Sequence, residues 1–161
     1  MKRKECYIAA ILLVTGTFLG AIESAALPEA AGAIVVPTGW RTVPGGCLIL
    51  RGPGEGYEVP RLALSVTSSA APAAATALRE GWRRVTDGRE VIDDDDEPLG
   101  GRVWQRIRVR FAVGPLAVVQ TAWIGTVGGR TVVAVLSSGD DHAAAHLVTA
   151  AAAVASISAP R

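Results

Sequence analysis

Apolar and polar positions alternate with period two along much of this chain, and that spacing predicts strands. Arg61 to Thr67 puts Leu62, Leu64 and Val66 on one face. Arg102 to Ala112 alternates over its whole length, and a Gly114-Pro115 turn leads into a further strand, Leu116 to Gly125. Gly128-Gly129 then reads as a two-residue hairpin turn into Thr131 to Leu136, a segment rich in β-branched residues. Two shorter apolar runs, Ile34 to Val36 and Cys47 to Arg51, add strands; Pro37-Thr38-Gly39 closes the first and Pro44-Gly45-Gly46 turns into the second. Gly52 to Gly56 is loop. Arg89 to Ile92 predicts a short strand, followed by a solvated loop from Asp93 to Pro98 that leaves through Leu99-Gly100-Gly101.

The spacing becomes helical twice. Pro72 to Arg84 starts with proline in a first turn and carries a buried stripe of Leu78, Trp82 and Val85, extended by Ala71, Ala74 and Ala75, with Gly88 as the stop. A second helix begins near Ser138, where Ser138-Gly139-Asp140-Asp141 fits a capping box with aspartate in the glutamate position. Its expected apolar face is Leu147, Val148, Ala151, Val154 and Ile157, and Pro160 ends it. The order is β-β-β-α-β-β-β-β-α. Hairpin connections from Arg102 onward imply an α+β fold, an antiparallel sheet sandwiched by helices in an α/β/α arrangement.

The N-terminus adds an address. Lys2, Arg3 and Lys4 precede an apolar run from Tyr7 to Ile22, and Ser24-Ala25-Ala26 offers small residues where a signal peptidase reads. That order is a secretory signal peptide, 1–26, cleaved near Ala26. The alternative is an uncleaved anchor, although the run falls short of the roughly 20 residues a spanning helix needs. Residues 27–32 read as a short leader and 33–158 as a single domain. The expected location is outside the cytoplasmic membrane, secreted or in the cell envelope.

Removing residues 1–26 takes away Lys2, Arg3, Lys4, Glu5 and Glu23 and leaves 13 residues of each sign, every remaining base being arginine. A neutral chain has no global pull toward nucleic acid or an anionic membrane. Cys47 is then the one cysteine, so no internal disulfide forms; it is either a reactive thiol or a small buried residue opening the run Cys47-Leu48-Ile49-Leu50.

The most unusual local feature is the Arg102–Ala112 strand. Val103, Ile107, Val109 and Phe111 share one face; Arg102, Trp104, Arg106, Arg108 and Arg110 share the other. Same-face neighbours sit about 7 Å apart, and in water each adjacent charge pair repels by about 0.6 kcal/mol. Buried without partners the row costs far more. It must therefore meet solvent, carboxylates such as those of Asp93 to Glu97, or an anionic ligand. Trp123 on the next strand can join Trp104 in a shallow amphipathic groove, or both can pack beneath a helix.

Other constellations carry less. The Asp93 to Glu97 run lacks the spacing and internal glycine of a calcium loop. His142 and His146 share a helix side but lack the glutamate of a His-Glu-x-x-His motif and a third ligand. No serine lies in a Gly-x-Ser-x-Gly elbow, and no glycine-rich segment matches a phosphate loop opening a helix. No catalytic residue, cofactor or metal site is implied.

Three motifs in order resemble the Mog1/PsbP-like superfamily: Val36-Pro37-Thr38-Gly39-Trp40 as its Pro-x-Gly-Trp opening, Leu99-Gly100-Gly101-Arg102-Val103 as the entry to its long central strand, and Gly129-Arg130-Thr131-Val132-Val133 with a final helix as its close. The resemblance spans roughly residues 33–158, with LpqN/LpqT-like lipoproteins, DcrB-like proteins and a type VII secretion-associated C-terminal domain as bacterial branches. It implies a helix-flanked antiparallel sheet and binding, chaperone-like or assembly roles. The combined expectation is an exported, non-enzymatic binding or accessory protein of a bacterial cell envelope, with association with a secretion system as its finer form. The alternatives are a carrier of a lipid or other amphiphile, and a hydrolase. Expected contacts are Trp104, Arg106, Arg108, Arg110 and Trp123. The expected partner is an envelope or secretion-system protein or a lipid-like ligand, without nucleic acid, and the membrane only if the N-terminal segment stays uncleaved.

Overall fold

A computed structural model of the protein describes residues 23–44, 47–56, 59–85 and 89–160, the Val85 side chain excepted. The basic start, the apolar run to Ile22, the Gly45-Gly46 turn, the Val85 member of the helix stripe and the Gly88 stop lie outside the described residues. The elements are β1 (Ser24–Ala26), β2 (Ala33–Val35), β3 (Arg41–Val43), β4 (Leu48–Arg51), β5 (Arg61–Thr67), α1 (Ala71–Val85), β6 (Glu90–Leu99), β7 (Arg102–Val113), β8 (Leu116–Val127), β9 (Arg130–Gly139) and α2 (Ala143–Ala155). Seven strands form one sheet in the order β3-β4-β5-β9-β8-β7-β6, every pairing antiparallel; β1 and β2 form a separate two-stranded sheet.

Both faces of the large sheet are closed. Strand alternation sends Ile107, Val109, Phe111, Ala122, Ile124, Val133 and Val135 to one side, where Ala74, Ala75, Leu78 and Trp82 of α1 cover them. Leu50, Leu62, Leu64, Trp104, Trp123, Ala134 and Leu136 go to the other side, beneath Ala150, Ala153 and Val154 of α2 and Ile34 of the small sheet. The α+β sandwich expected from the alternation is the architecture found.

Several boundaries differ from expectation, each for a physical reason. The short strand at Arg89–Ile92 extends through the acidic run to Leu99, so Asp93 to Glu97 is strand rather than loop. Aspartate is disfavoured in strands, yet β6 is an outer strand facing arginines, and charged residues and proline are at home on edges. Gly100 and Gly101, at φ +57° and +75°, make a tight turn from β6 into β7, with conformations that suit glycine. Ser138 stays in β9, so the expected capping box does not form and α2 starts at Ala143. Val148 is exposed, whereas Leu147, Ala151, Val154 and Ile157 face the core as expected, joined by Ala150 and Ala153; the helix ends at Ala155, before Pro160. Val103 is likewise exposed, beyond the reach of α1.

Residues 27–32 are not a loose leader. Leu27 and Ala31 are buried in the core on the α2 side, and a 3-10 turn runs over Pro28–Ala30. Ser24 to Ala26 pair residue by residue with Val35 to Ala33, and the Val36 N–H donates to Glu23 O at 2.7 Å. Cleavage after Ala26 removes β1 entirely. Cys47 is buried.

One close approach fixes the core beneath α2. Gly125 on β8 faces Trp104, and a Cβ there would lie 2.6 Å from the indole Cε3. The missing side chain is the slot into which the indole fits. Gly125→Ala forces the ring out of place and lowers stability by about 1–3 kcal/mol, read as a shift in denaturant midpoint at unchanged slope.

Candidate functional site

The arginines of β7 fall within a charge ladder built by the β6–β7 pairing. Asp95 pairs with Arg106, Glu97 with Trp104, and Asp93 with Arg108, so these acids share the face of the arginines. A register shift between Val91 and Asp93 makes this possible. Val91, although exposed, still sits on the α1 side opposite Val109, while Asp93 two residues later faces Arg108 on the opposite side. The extra residue, Ile92, is a bulge that re-aims the acidic run.

The contacts form a connected chain. Trp123 Nε1 donates to Glu97 Oε2 at 2.8 Å, and Arg106 Nη1 lies 3.2 Å from Glu97 Oε1. Arg106 Nε donates to Asp93 Oδ1 at 3.3 Å. Arg108 Nε sits 2.7 Å from Asp93 Oδ2 but off the N–H axis, so this contact is Coulombic and not a hydrogen bond. Arg110 closes the row, with Nε donating to Asp140 Oδ1 at 3.1 Å and Nη1 to Glu90 Oε2 at 3.2 Å. The hydrogen bond to Asp140 and that carboxylate's charge, with Glu90 adding to them, hold the Arg110 guanidinium above its ordinary pKa. On the α1 side, Arg79 bonds Asp94, which also accepts from Gln105 Nε2.

The five residues expected to make contacts therefore divide. Trp104 and Trp123 are fully buried, so they line no groove; they pack beneath α2, with their N–H groups used by Leu99 O and Glu97. Arg106 and Arg108 are largely covered, with side chains 23% and 29% exposed, and are committed to Asp93 and Glu97. Arg110, at 44%, is the member a partner can reach. The sequence offered the Asp93 to Glu97 carboxylates as partners of the row but placed them in a loop, not on the neighbouring strand. The signal was present: Gly100-Gly101 is the same two-residue turn as Gly128-Gly129, and it folds the acidic run back on the arginines.

His142 and His146 lie side by side with ring centroids 6.1 Å apart, and no group of three metal-ligating side chains exists among the described residues. His146 Nδ1 is instead 2.6 Å from the buried Ser138 Oγ. This is a nucleophile–base distance, but the hydroxyl sits in β9 beneath α2, 3% exposed, where a substrate has no approach. Burial first, and His142 second, lowers the His146 pKa.

No family model matches the chain, and no curated protein matches it significantly. Solved structures do. CyanoP, the cyanobacterial PsbP of Synechocystis sp. PCC 6803, superposes with TM-score 0.58 at 14% identity, covering 92% of this chain and 98% of its own. LpqN of Mycobacterium tuberculosis, described as involved in cell envelope biogenesis, gives TM-score 0.56 at 16% identity, covering 88% and 93%. PA94 of Pseudomonas aeruginosa, of unknown function, gives 0.56 at 16%, covering 88% and 99%. The fold is Mog1/PsbP-like. The sheet here carries its acid–arginine ladder on β6 and β7, at one edge.

Two predictions follow from this geometry. Arg106→Met leaves Asp93 and Glu97 facing each other without their shared cation and costs about 2 kcal/mol in chemical denaturation, whereas Arg110→Met leaves the midpoint nearly unchanged. His146 is harder to protonate folded than unfolded, so the unfolded chain binds the extra proton as pH falls below about 6.5. Stability falls through that window, and His146→Gln flattens this part of a Tm-against-pH curve.

Proposed function

We propose that this protein is an exported, non-enzymatic accessory protein of a bacterial cell envelope that works by binding another envelope protein. The observation that carries the reading is the use made of charge on β6 and β7. Arg106 and Arg108 are spent on Asp93 and Glu97, and besides the exposed Asp95 and Asp96 a polar edge of mixed sign reaches solvent around Glu90, Arg110 and Asp140, with side chains 64%, 44% and 33% exposed. Such an edge suits a complementary protein surface, where rim charges set orientation and on-rate. Export rests on Lys2-Arg3-Lys4 and the apolar run to Ile22. No helix among the described residues is long and apolar enough to cross a membrane. The envelope role of LpqN supports the location by analogy of fold alone. A secretion apparatus is the finer version of this proposal.

A second reading, a carrier of an amphiphile, has one observation in its favour. An open cleft of about 490 Å³ lies between the β1–β2 hairpin and the C-terminal tail, lined by Ala26, Ala30, Ile34, Ala159 and Pro160 among others.

Purification of the tagged full chain from its own envelope, followed by mass spectrometry of all that accompanies it, separates the two. The expected result is a stoichiometric envelope protein whose capture weakens several-fold on Arg110→Met, with the Tm nearly unchanged. A stoichiometric lipid favours the carrier, and recovery from the cytoplasm alone overturns the proposal.

A further inference from the structure

A second row of arginines crosses the other half of the sheet. Arg41 of β3 pairs with Arg51 of β4, and Arg51 pairs with Arg61 of β5, so three guanidinium side chains leave the same face in one transverse line. The line continues through Ser137 of β9 and Gln120 of β8. At the Gln120 end it is held under α1, where Trp82 Nε1 donates to Gln120 Oε1 at 2.6 Å and Gln120 Nε2 donates to Ser137 Oγ at 2.7 Å. At the other end it runs out to β3, the sheet edge.

This row differs from the β7 row in one respect. Arg106, Arg108 and Arg110 each have a carboxylate, whereas no carboxylate forms an ion pair with Arg41, Arg51 or Arg61 among the described residues. All three are half-buried. Arg51 Nη2 donates to Gly54 O at 3.1 Å, but the Nε groups of Arg51 and Arg61 are buried and have no hydrogen-bond partner among the described residues. Like charges placed directly opposite across a strand pair repel, and a covered donor without an acceptor is costly. Burial first, then the repulsion of Arg41 and of Arg61, lowers the Arg51 pKa, against a weaker opposing pull from Glu55. An arrangement this unfavourable alone becomes favourable once an anion sits on it. Strands lie about 4.8 Å apart, so the row spans about 10 Å, and a tetrahedral oxyanion can bridge neighbouring guanidinium forks with paired N–H bonds.

We propose that Arg41, Arg51 and Arg61 form a binding site for a phosphoryl group, carried by a small molecule or by a lipid headgroup, whose oxygens accept from the unpartnered Nε–H of Arg51 and Arg61. The inference deepens, and rests on, the reading of the chain as a binding protein. It places the site at the opposite side of the sheet from the β6–β7 edge, so the two fail separately.

The test uses the full chain labelled with nitrogen-15. Arginine Nε–H resonances are followed as inorganic phosphate replaces chloride at constant ionic strength, and flotation is measured with vesicles of phosphatidylglycerol against phosphatidylcholine. Expected are saturable shifts of Arg51 and Arg61, an affinity about tenfold lower in Arg51→Met, and a Tm raised by that substitution, because the methionine relieves repulsion while keeping most of the stem. Arg61→Met serves in the same way if the first variant does not fold. Phosphate shifts without flotation assign a soluble phosphoryl ligand; Arg51-dependent flotation with phosphatidylglycerol assigns a headgroup. Neither response, or a lowered Tm with phosphate affinity unchanged, overturns the site and leaves the envelope-partner result standing.

Discussion

An arginine face on an inner strand is tolerable only because an acidic strand lies beside it. Arg106 and Arg108 are too covered for water to solvate them fully, and Asp93 and Glu97 are held within reach by the register of β6. The bulge at Ile92 sets both sides of that edge strand: Val91 stays on the α1 side opposite Val109, half-exposed, and the acids after it turn to the arginines. Trp123 couples this ladder to the core through its bond to Glu97, so the charge register and the packing beneath α2 stabilise or fail together.

The same sheet treats its arginines in two ways. On β7 each cation is neutralised within the protein. Across β3, β4 and β5 three cations are aligned by register with no carboxylate in ion-pair contact among the described residues, where two of their donors also find no acceptor. A row of the first kind contributes to the fold and leaves mixed-sign rim charges for a partner. A row of the second kind destabilises the fold and is relieved only by something added from outside. The proposed phosphoryl site thus lies where the fold left charge uncompensated, while Arg106 and Arg108 are held in ion pairs within the sheet.

The start of the described chain shows a similar division between address and architecture. Ser24 to Ala26 have the small residues of a cleavage site, and they also form the strand that pairs with β2, whose Ile34 is core. Leu27 is buried. The segment that an export enzyme would read and the segment that closes the α2 side of the sheet adjoin within a few residues, so the position of any cleavage bears directly on how that side is closed.

The sequence by itself determined the α+β class, the hairpins from Arg102 onward, the Leu78–Trp82 stripe and the two-faced character of β7, because period-two and helical spacing follow from backbone geometry alone. It also established that an arginine face needs partners. Which partners it has was decided by tertiary structure. A run of four aspartates reads as loop by local propensity, and becomes strand only when a Gly100-Gly101 turn folds it against β7 and Coulomb attraction outweighs that propensity. Arg41, Arg51 and Arg61 lie ten residues apart and share no local pattern. Their alignment exists only in the register of three strands, where pairing, not spacing, makes them neighbours.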